Sequence, residues 1–281
     1  MKEIKDLLNF SLINIDKPAG PTSYSVSEFL KRQLKLKKTS HMGTLDPKVT
    51  GVLPITLGRA CKLADYFIKH DKTYVGILHT HNEQDIEKLQ GLIDENFVGK
   101  IKQTPPHRSA VKREERERTV YNWEFLEVSN DKRDFLFECK VEGGTYIRKL
   151  CSDLGEMIGG AHMGDLRRTE AGIFDESSII NLFDFKSAID KYKNGNEEPL
   201  RKMLVPAEIA IKKVLPFVNI DKKAIKGLYI GKPLFRDSII SDIGDIKTDD
   251  RFAVFCKDQF IGIYRRTTEE IIFGRSEFVF N

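Results

Sequence analysis

The amino-acid sequence predicts an α+β fold, a large domain of mixed elements followed by a small β-rich one. Three observations carry this expectation. Segments of strand and helix character are interspersed without the regular alternation of a doubly wound sheet. Phe135, Phe137, Cys139 and Val141 recur at every second position, the period of a strand. From about Leu215 the texture changes to short β-like runs at 252–256, 260–264 and 278–280, separated by Gly and Asp, which suits a small barrel. At 281 residues the chain is also too long for one minimal domain.

The elements follow in order. Residues 12–15 form a short apolar strand stopped by the rigid turn Lys17-Pro18-Ala19-Gly20-Pro21. A helix comes next, with Ser25-x-x-Glu28 as its capping box and Val26, Phe29, Leu30 and Leu34 on one face. Residues 39–59 are rich in Gly, Pro and Thr and read as loop with short apolar stretches. Residues 72–78 read as a strand, and the strand through Phe135 ends at Gly143-Gly144. A second helix carries Ile147, Leu150, Cys151, Leu154 and Ile158 inward and closes at Gly159-Gly160. The polar stretch 191–199 marks a surface excursion, and no internal repeat is visible.

Composition excludes several function classes. Apolar residues make up 40% of the chain, enough for globular cores. No stretch approaches eighteen uninterrupted apolar residues, so no membrane-spanning helix is expected. The N-terminus alternates charge and lacks the apolar core of a secretory signal. Cys61, Cys139, Cys151 and Cys256 are far apart, so reduced thiols in a cytoplasmic protein are expected rather than a disulfide framework. His79 and His81 could face the same way on a strand, yet no third ligand lies at a usual metal-site spacing. No metal or cofactor is expected.

The 46 basic and 42 acidic residues nearly balance, but they cluster. Lys31, Arg32, Lys35, Lys37 and Lys38 form a basic run upstream of His41. Arg108, Lys112, Arg113, Arg116 and Arg118 form a second, diluted by Glu114, Glu115 and Glu117. Each run is open to two readings, a phosphate-binding face or a solvated helix face.

The densest signal lies between Ser40 and Pro54. Gly43 lets the backbone turn, and Pro47 fixes φ immediately after Asp46. An acid held between such residues has a fixed direction, which suits a nucleophile or base. An ordinary Asx-type turn accounts for the same residues.

At this stretch the chain resembles the TruB/dyskerin family of pseudouridine synthases. The stretch from Leu12 through Lys17-Pro18 to Ser23 is similar to the family's first motif, and that from His41 to Pro54 to its second. Lys72-Thr73-Tyr74, Gly144-Thr145-Tyr146-Ile147-Arg148 and Leu166-Arg167-Arg168-Thr169 match the later ones in family order. The resemblance implies a catalytic domain over 12–213, with a mainly antiparallel sheet and flanking helices, and a PUA RNA-binding domain over 214–281. It further implies an N-terminal extension, residues 1–11, packed on the PUA domain.

Residue roles follow from the same resemblance. Asp46 is the catalytic carboxylate, kept ionised by Arg148, since a neighbouring guanidinium lowers an Asp pKa by roughly 1–3 units. Tyr74 stacks on the target uracil and Leu166 forms part of an apolar wall. His41 helps to hold the extruded nucleotide. Lys17, Arg108, Lys112, Arg113, His162 and Arg167 are RNA-binding candidates, and Gly231 fits the glycine turn of the PUA domain.

Two branches of the family compete. A stand-alone enzyme acts on the tRNA T-loop, whereas the archaeal dyskerin-type subunit receives rRNA or tRNA targets from an H/ACA guide RNA alongside small accessory proteins. The Pro105-to-Arg113 segment, the Gly160-to-Thr169 segment and Glu198-Pro199-Leu200-Arg201-Lys202 resemble the archaeal form, which is the expectation here. A eukaryotic nucleolar form is disfavoured by the lack of a lysine-rich tail. Two departures stand out: Arg236-Asp237 replaces an expected Pro-Gly, and 158–162 is one residue shorter than usual.

Overall fold

The computed structural model describes residues 2–105 and 112–281. The chain divides into two compact units, Met1–Leu204 and Val205–Asn281. The break falls before the boundary expected at 213/214, because the helix Ala207–Val214 goes with the second unit. The ammonium of Lys212 on that helix lies over the rings of Phe217 and Phe255, 5.5 and 4.7 Å from their centroids.

The first unit is built on β1 (Phe10–Lys17), β2 (Thr39–His41), β3 (Thr50–Gly58), β4 (Lys72–Thr80), β5 (Gly99–Gln103), β6 (Arg116–Val128), β7 (Asp134–Val141), β8 (Ala161–Ala171) and β9 (Phe174–Asp175). Its helices are α1 (Ile4–Asn9), α2 (Ser23–Gln33), α3 (Ala64–Ile68), α4 (Ile86–Asn96), α5 (Ile147–Ile158), α6 (Leu182–Lys193) and α7 (Glu198–Lys202). The sheet order is β1-β3-β8-β4-β7-β6-β5, with β2 on β3 and β9 on β8. Every pair in this path is antiparallel except the short β3–β8 contact. This is an α+β domain with a mixed, mainly antiparallel sheet.

Strand parity builds the core. Phe135, Phe137, Cys139 and Val141 on β7 face the same way as Trp123 and Phe125 on β6, and all six are buried. They join Leu89 and Ile93 of α4 and Leu150, Cys151 and Leu154 of α5 in one cluster. Trp123 meets Phe97 and Phe137 edge-on at 5.6 and 5.8 Å. Each such side chain contributes about 1.5–3 kcal/mol through burial. The apolar stripe of α5 emerges as read from the sequence, and Gly159, at φ 83°, ends that helix in a left-handed cap.

Two expectations differ from the structure. Residues 39–59 hold β2 and β3 rather than a loop. β3 is buried along nearly its whole length between β1 and its neighbours, so it shows no alternation, and Pro54 in its middle disguises it further. The cap of α2 is Thr22, whose Oγ1 accepts from the Ser25 amide at 3.0 Å. Glu28, assigned to a capping box, instead pairs with Lys31 and Arg32. Ile4, Leu7 and Leu8 of α1 belong to the core cluster of the first unit.

The second unit carries one five-stranded sheet. Its order is Phe217–Asn219, Arg251–Cys256, Gln259–Arg266, Ile272–Val279 and Leu234–Phe235. Phe252, Val254, Ile261, Tyr264 and Phe273 fill its core with Val218, Leu228 and Leu234.

Candidate active site

The segment that carries Asp46 links β2 to β3 and is tied down at almost every residue. Met42, Leu45 and Val49 are buried and anchor it by their side chains. The Met42 amide donates to Pro54 O at 2.8 Å, and the Gly20 amide to Pro47 O at 2.9 Å. Ser23 Oγ accepts from the Leu45 amide (2.8 Å) and donates to its carbonyl (3.1 Å). With the backbone so held, the half-exposed Asp46 carboxylate is directed outward.

Two buried cations complete the anchoring. Lys17 has no exposed surface, and its Nζ donates to Pro18 O, Pro47 O and Val49 O at 2.9, 3.0 and 2.8 Å. Those three bonds use all three ammonium protons, so none remains for a phosphate. The assignment of Lys17 as an RNA contact is therefore corrected: it is a strut beneath the Asp46 loop. Arg168 on β8, 1% exposed, donates from Nε to Val52 O (2.7 Å) and from Nη2 to Gly43 O (3.1 Å). The side chain of Tyr74 lies beside the same guanidinium and favours its charged form. Burial lowers the pKa of both cations, with Tyr74 partly offsetting this for Arg168.

Arg148, near the start of α5, pairs through Nη2 with Asp46 Oδ2. The position of that helix start is set by Gln103, a buried residue at the end of β5. Its Oε1 accepts from the Tyr146 amide at 3.0 Å, and its Nε2 donates to Tyr146 O at 3.3 Å. Tyr74 and Leu166 sit on the neighbouring strands β4 and β8, each 8% exposed. Between them Gly76 stands opposite Leu166. A Cβ there would lie 2.7 Å from Leu166 Cδ1 and 2.8 Å from Phe137 Cζ, so only glycine leaves room for both.

His41 enters the loop from β2, and its Nε2 lies 3.1 Å from Thr44 Oγ1. Burial first, and then the charge of Arg168, lowers its pKa, which keeps the ring neutral at pH 7. Lys72, on the same side, is brought down to about 8 by burial and by Arg168. It donates to Ile68 O at 2.6 Å and to His70 O.

The remaining candidates do not converge on Asp46. Arg167 points to the opposite face of β8 from Arg168. There it is held bidentately by Asp16 (3.0 and 3.2 Å) and by Glu176 (2.6 Å). Two carboxylates on one guanidinium make this an ion-pair network. His162 lies four residues from Leu166, about 13 Å along the strand. It sits with its ring 5.0 Å from His79 and 5.7 Å from His81. Lys112 pairs with Glu114, and Arg113 is exposed. Arg108 lies outside the described residues. Gly231 adopts φ 86° in an exposed turn of the second unit. Among the described residues no group of three or more His, Cys, Asp or Glu is arranged to hold a metal.

Sequence reasoning missed Arg168, Lys72, Gly76 and Gln103. One signal was available: on a strand, Leu166 and Arg168 must share a face while Arg167 takes the other. Gln103 left no comparable trace.

Comparison with known proteins decides what this geometry belongs to. Residues 31–147 match the TruB family pseudouridylate synthase N-terminal domain, and 148–212 match the tRNA pseudouridylate synthase B C-terminal domain. The chain belongs to the TruB family of pseudouridine synthases. It is thus an RNA isomerase that converts uridine to pseudouridine. It is 41% identical over 276 residues to a probable tRNA pseudouridine synthase B of Methanopyrus kandleri, covering 96% of this chain and 80% of that one. A protein of the same description from Korarchaeum cryptofilum is 43% identical over 262 residues, covering 92% and 79%. Among solved structures, one described as a Cbf5-Nop10-Gar1 complex superposes with a TM-score of 0.90 at 38% identity, covering all of this chain and 88% of that one. An H/ACA RNP bound to a substrate RNA containing 2'-deoxyuridine gives 0.86 at 35% identity, with 100% and 88% covered.

Proposed function

We propose that this synthase is the catalytic subunit of a guide-RNA-directed H/ACA ribonucleoprotein of archaeal type, acting on rRNA with tRNA as a second substrate. The observation that carries this reading is the similarity over the entire chain, second unit included, to solved structures described as complexes with Nop10 and Gar1 and as an H/ACA RNP. On this reading the second unit is a PUA domain that grips the guide RNA, and small accessory proteins complete the particle.

At the site, Asp46 acts as the nucleophile or proton-abstracting base. Its carboxylate is ionised and aimed by the anchored loop, and Arg148 holds that charge while the target base covers the pair from water. Both side chains of the pair are about half exposed, so their attraction is weak in the free protein. It strengthens once RNA excludes solvent. The uridine leaves its stack, at a cost of a few kcal/mol, and lies between Tyr74 and the wall at Leu166. The C1′–N1 bond breaks and C1′ rejoins the base at C5. The C5 proton leaves and N1 takes one up, so no cofactor is called for.

The relatives described as probable tRNA pseudouridine synthase B favour a second reading, direct action on the tRNA T-loop. Turnover is compared on a T-loop stem and on guide-paired RNA, each with and without the accessory proteins. Guided activity that depends on those proteins supports the first reading. Full activity on the T-loop with protein alone replaces it with the second.

A further inference from the structure

Arg168 is withdrawn from water without a carboxylate. It forms no ion pair among the described residues; its hydrogen-bond partners are the carbonyls of Gly43 and Val52, with the Tyr74 side chain beside it. Burying an uncompensated guanidinium costs several kcal/mol. The neighbours raise that cost, since Lys72 and His41 both feel its positive charge. A neutral side chain of similar volume would fill this space more cheaply, so the guanidinium itself needs an explanation.

Its partners supply one. Gly43 precedes Asp46 by three residues and Val52 follows it by six, so one planar group grips the Asp46 segment from both ends. Tyr74 stands directly opposite Arg168 in the β4–β8 register, so its side chain lies on the same face, against the same group. The donors of an arginine sit in a fixed fork, which sets the angle and separation of whatever binds them. Close packing keeps the fork in place: a Cβ on Gly43 would approach Nη1 to 3.2 Å, and one on Gly51 would come within 2.2 Å of the Arg168 carbonyl oxygen. The loop and the ring of Tyr74 thus share one rigid reference.

We propose that Arg168 is a positioning residue of the isomerisation, fixing the Asp46 carboxylate and the Tyr74 ring relative to each other. This rests on the roles proposed above for Asp46 and Tyr74. The group does not touch RNA, so its loss acts on the chemical step and spares binding. A misplacement of about 1 Å in such a constellation costs on the order of 100-fold in rate.

The test uses the full chain and the RNA class that the wild type turns over. Arg168→Lys keeps the charge and loses the fork; Arg168→Gln keeps donors and loses the charge. Single-turnover tritium release from C5-labelled RNA, RNA Kd and Tm are measured for both, for Tyr74→Phe alone, and for Arg168→Lys combined with Tyr74→Phe. Arg168→Lys is expected to release tritium 10- to 100-fold more slowly with Kd within threefold of wild type, and Arg168→Gln more slowly still. Adding Tyr74→Phe to Arg168→Lys costs less than the same change does alone, because the two act as a unit. A folded Arg168→Lys with a rate within threefold of wild type overturns the proposal, as do rate and affinity falling in step. If neither variant folds, Arg168 is only a structural clamp and the proposal fails. Asp46→Asn, run alongside, separates the two readings. If it keeps the wild-type rate, the roles assigned to the site fail. If it is inactive while Arg168→Lys is unaffected, only this inference fails.

Discussion

Replacing Lys17 with methionine separates a strut from an RNA ligand. The side chain keeps its length and loses the charge, leaving the carbonyls of Pro18, Pro47 and Val49 without the donor that each now has at 2.8–3.0 Å. Pro47 O keeps the Gly20 amide and Pro18 is exposed to water, so only the buried Val49 carbonyl is orphaned, at a cost of about 1–3 kcal/mol. Relief of the buried ammonium offsets part of this. The net is a loss of about 1–2 kcal/mol, or on the order of 2–8 °C in Tm for a domain of this size. Thermal melts of wild type and Lys17→Met read that shift. RNA Kd at two salt concentrations reads the alternative, because each lost phosphate contact flattens the salt dependence by about one unit. A melt within 1 °C of wild type, together with a weaker and less salt-dependent Kd, would refute the assignment of Lys17 to the loop.

Other outcomes follow from the same geometry. Lys72 titrates near 8 in the folded chain against an ordinary 10.5. Between those values the unfolded chain holds a proton that the folded one sheds, so stability rises with pH across about 8–10.5, by up to about 3 kcal/mol. Lys72→Met removes that rise, as urea midpoints at pH 7.5 and 10 reveal; equal slopes in both proteins contradict the burial of a shifted lysine. Arg148→Ala leaves Tm nearly unchanged, because a half-exposed pair contributes at most about 1 kcal/mol, yet lowers turnover on the order of 100-fold. Comparable small losses in both would count against Arg148 as the partner of the reacting acid. Gly76→Val drives a side chain into Leu166 and Phe137, destabilising by about 1–3 kcal/mol in a chemical melt. An unchanged midpoint means that β4 and β8 pack less closely than 2.7 Å implies.

How legible the chain was depends on the physical signal each part leaves. β7 and α5 were readable because each buries one face, which writes a period into the sequence. β3 was not, since a strand buried on both faces has no alternation. The site divides the same way. Asp46, Tyr74 and Arg148 were found through contiguous motifs, and the structure pairs Asp46 with Arg148 and sets Tyr74 opposite the arginine that holds the Asp46 loop. Lys17 was misread because a charge in a sequence says nothing about exposure. Adjacent arginines 167 and 168 look equivalent in one dimension, yet one meets two carboxylates on the opposite face of the strand and the other is sealed under the Asp46 loop. Gln103 illustrates the remaining limit: it bonds Tyr146 across 43 residues of chain, a contact no local pattern records.

The central claim, that the anchored carboxylate of Asp46 carries the reaction, is tested most directly by Asp46→Asn. Asparagine preserves the shape of the loop and removes the charge that Arg148 meets. Tritium release from C5-labelled RNA is measured under single-turnover conditions, with RNA Kd and Tm as controls. The account predicts no release above background with Tm and Kd close to wild type. Release at the wild-type rate from the same folded variant would contradict it.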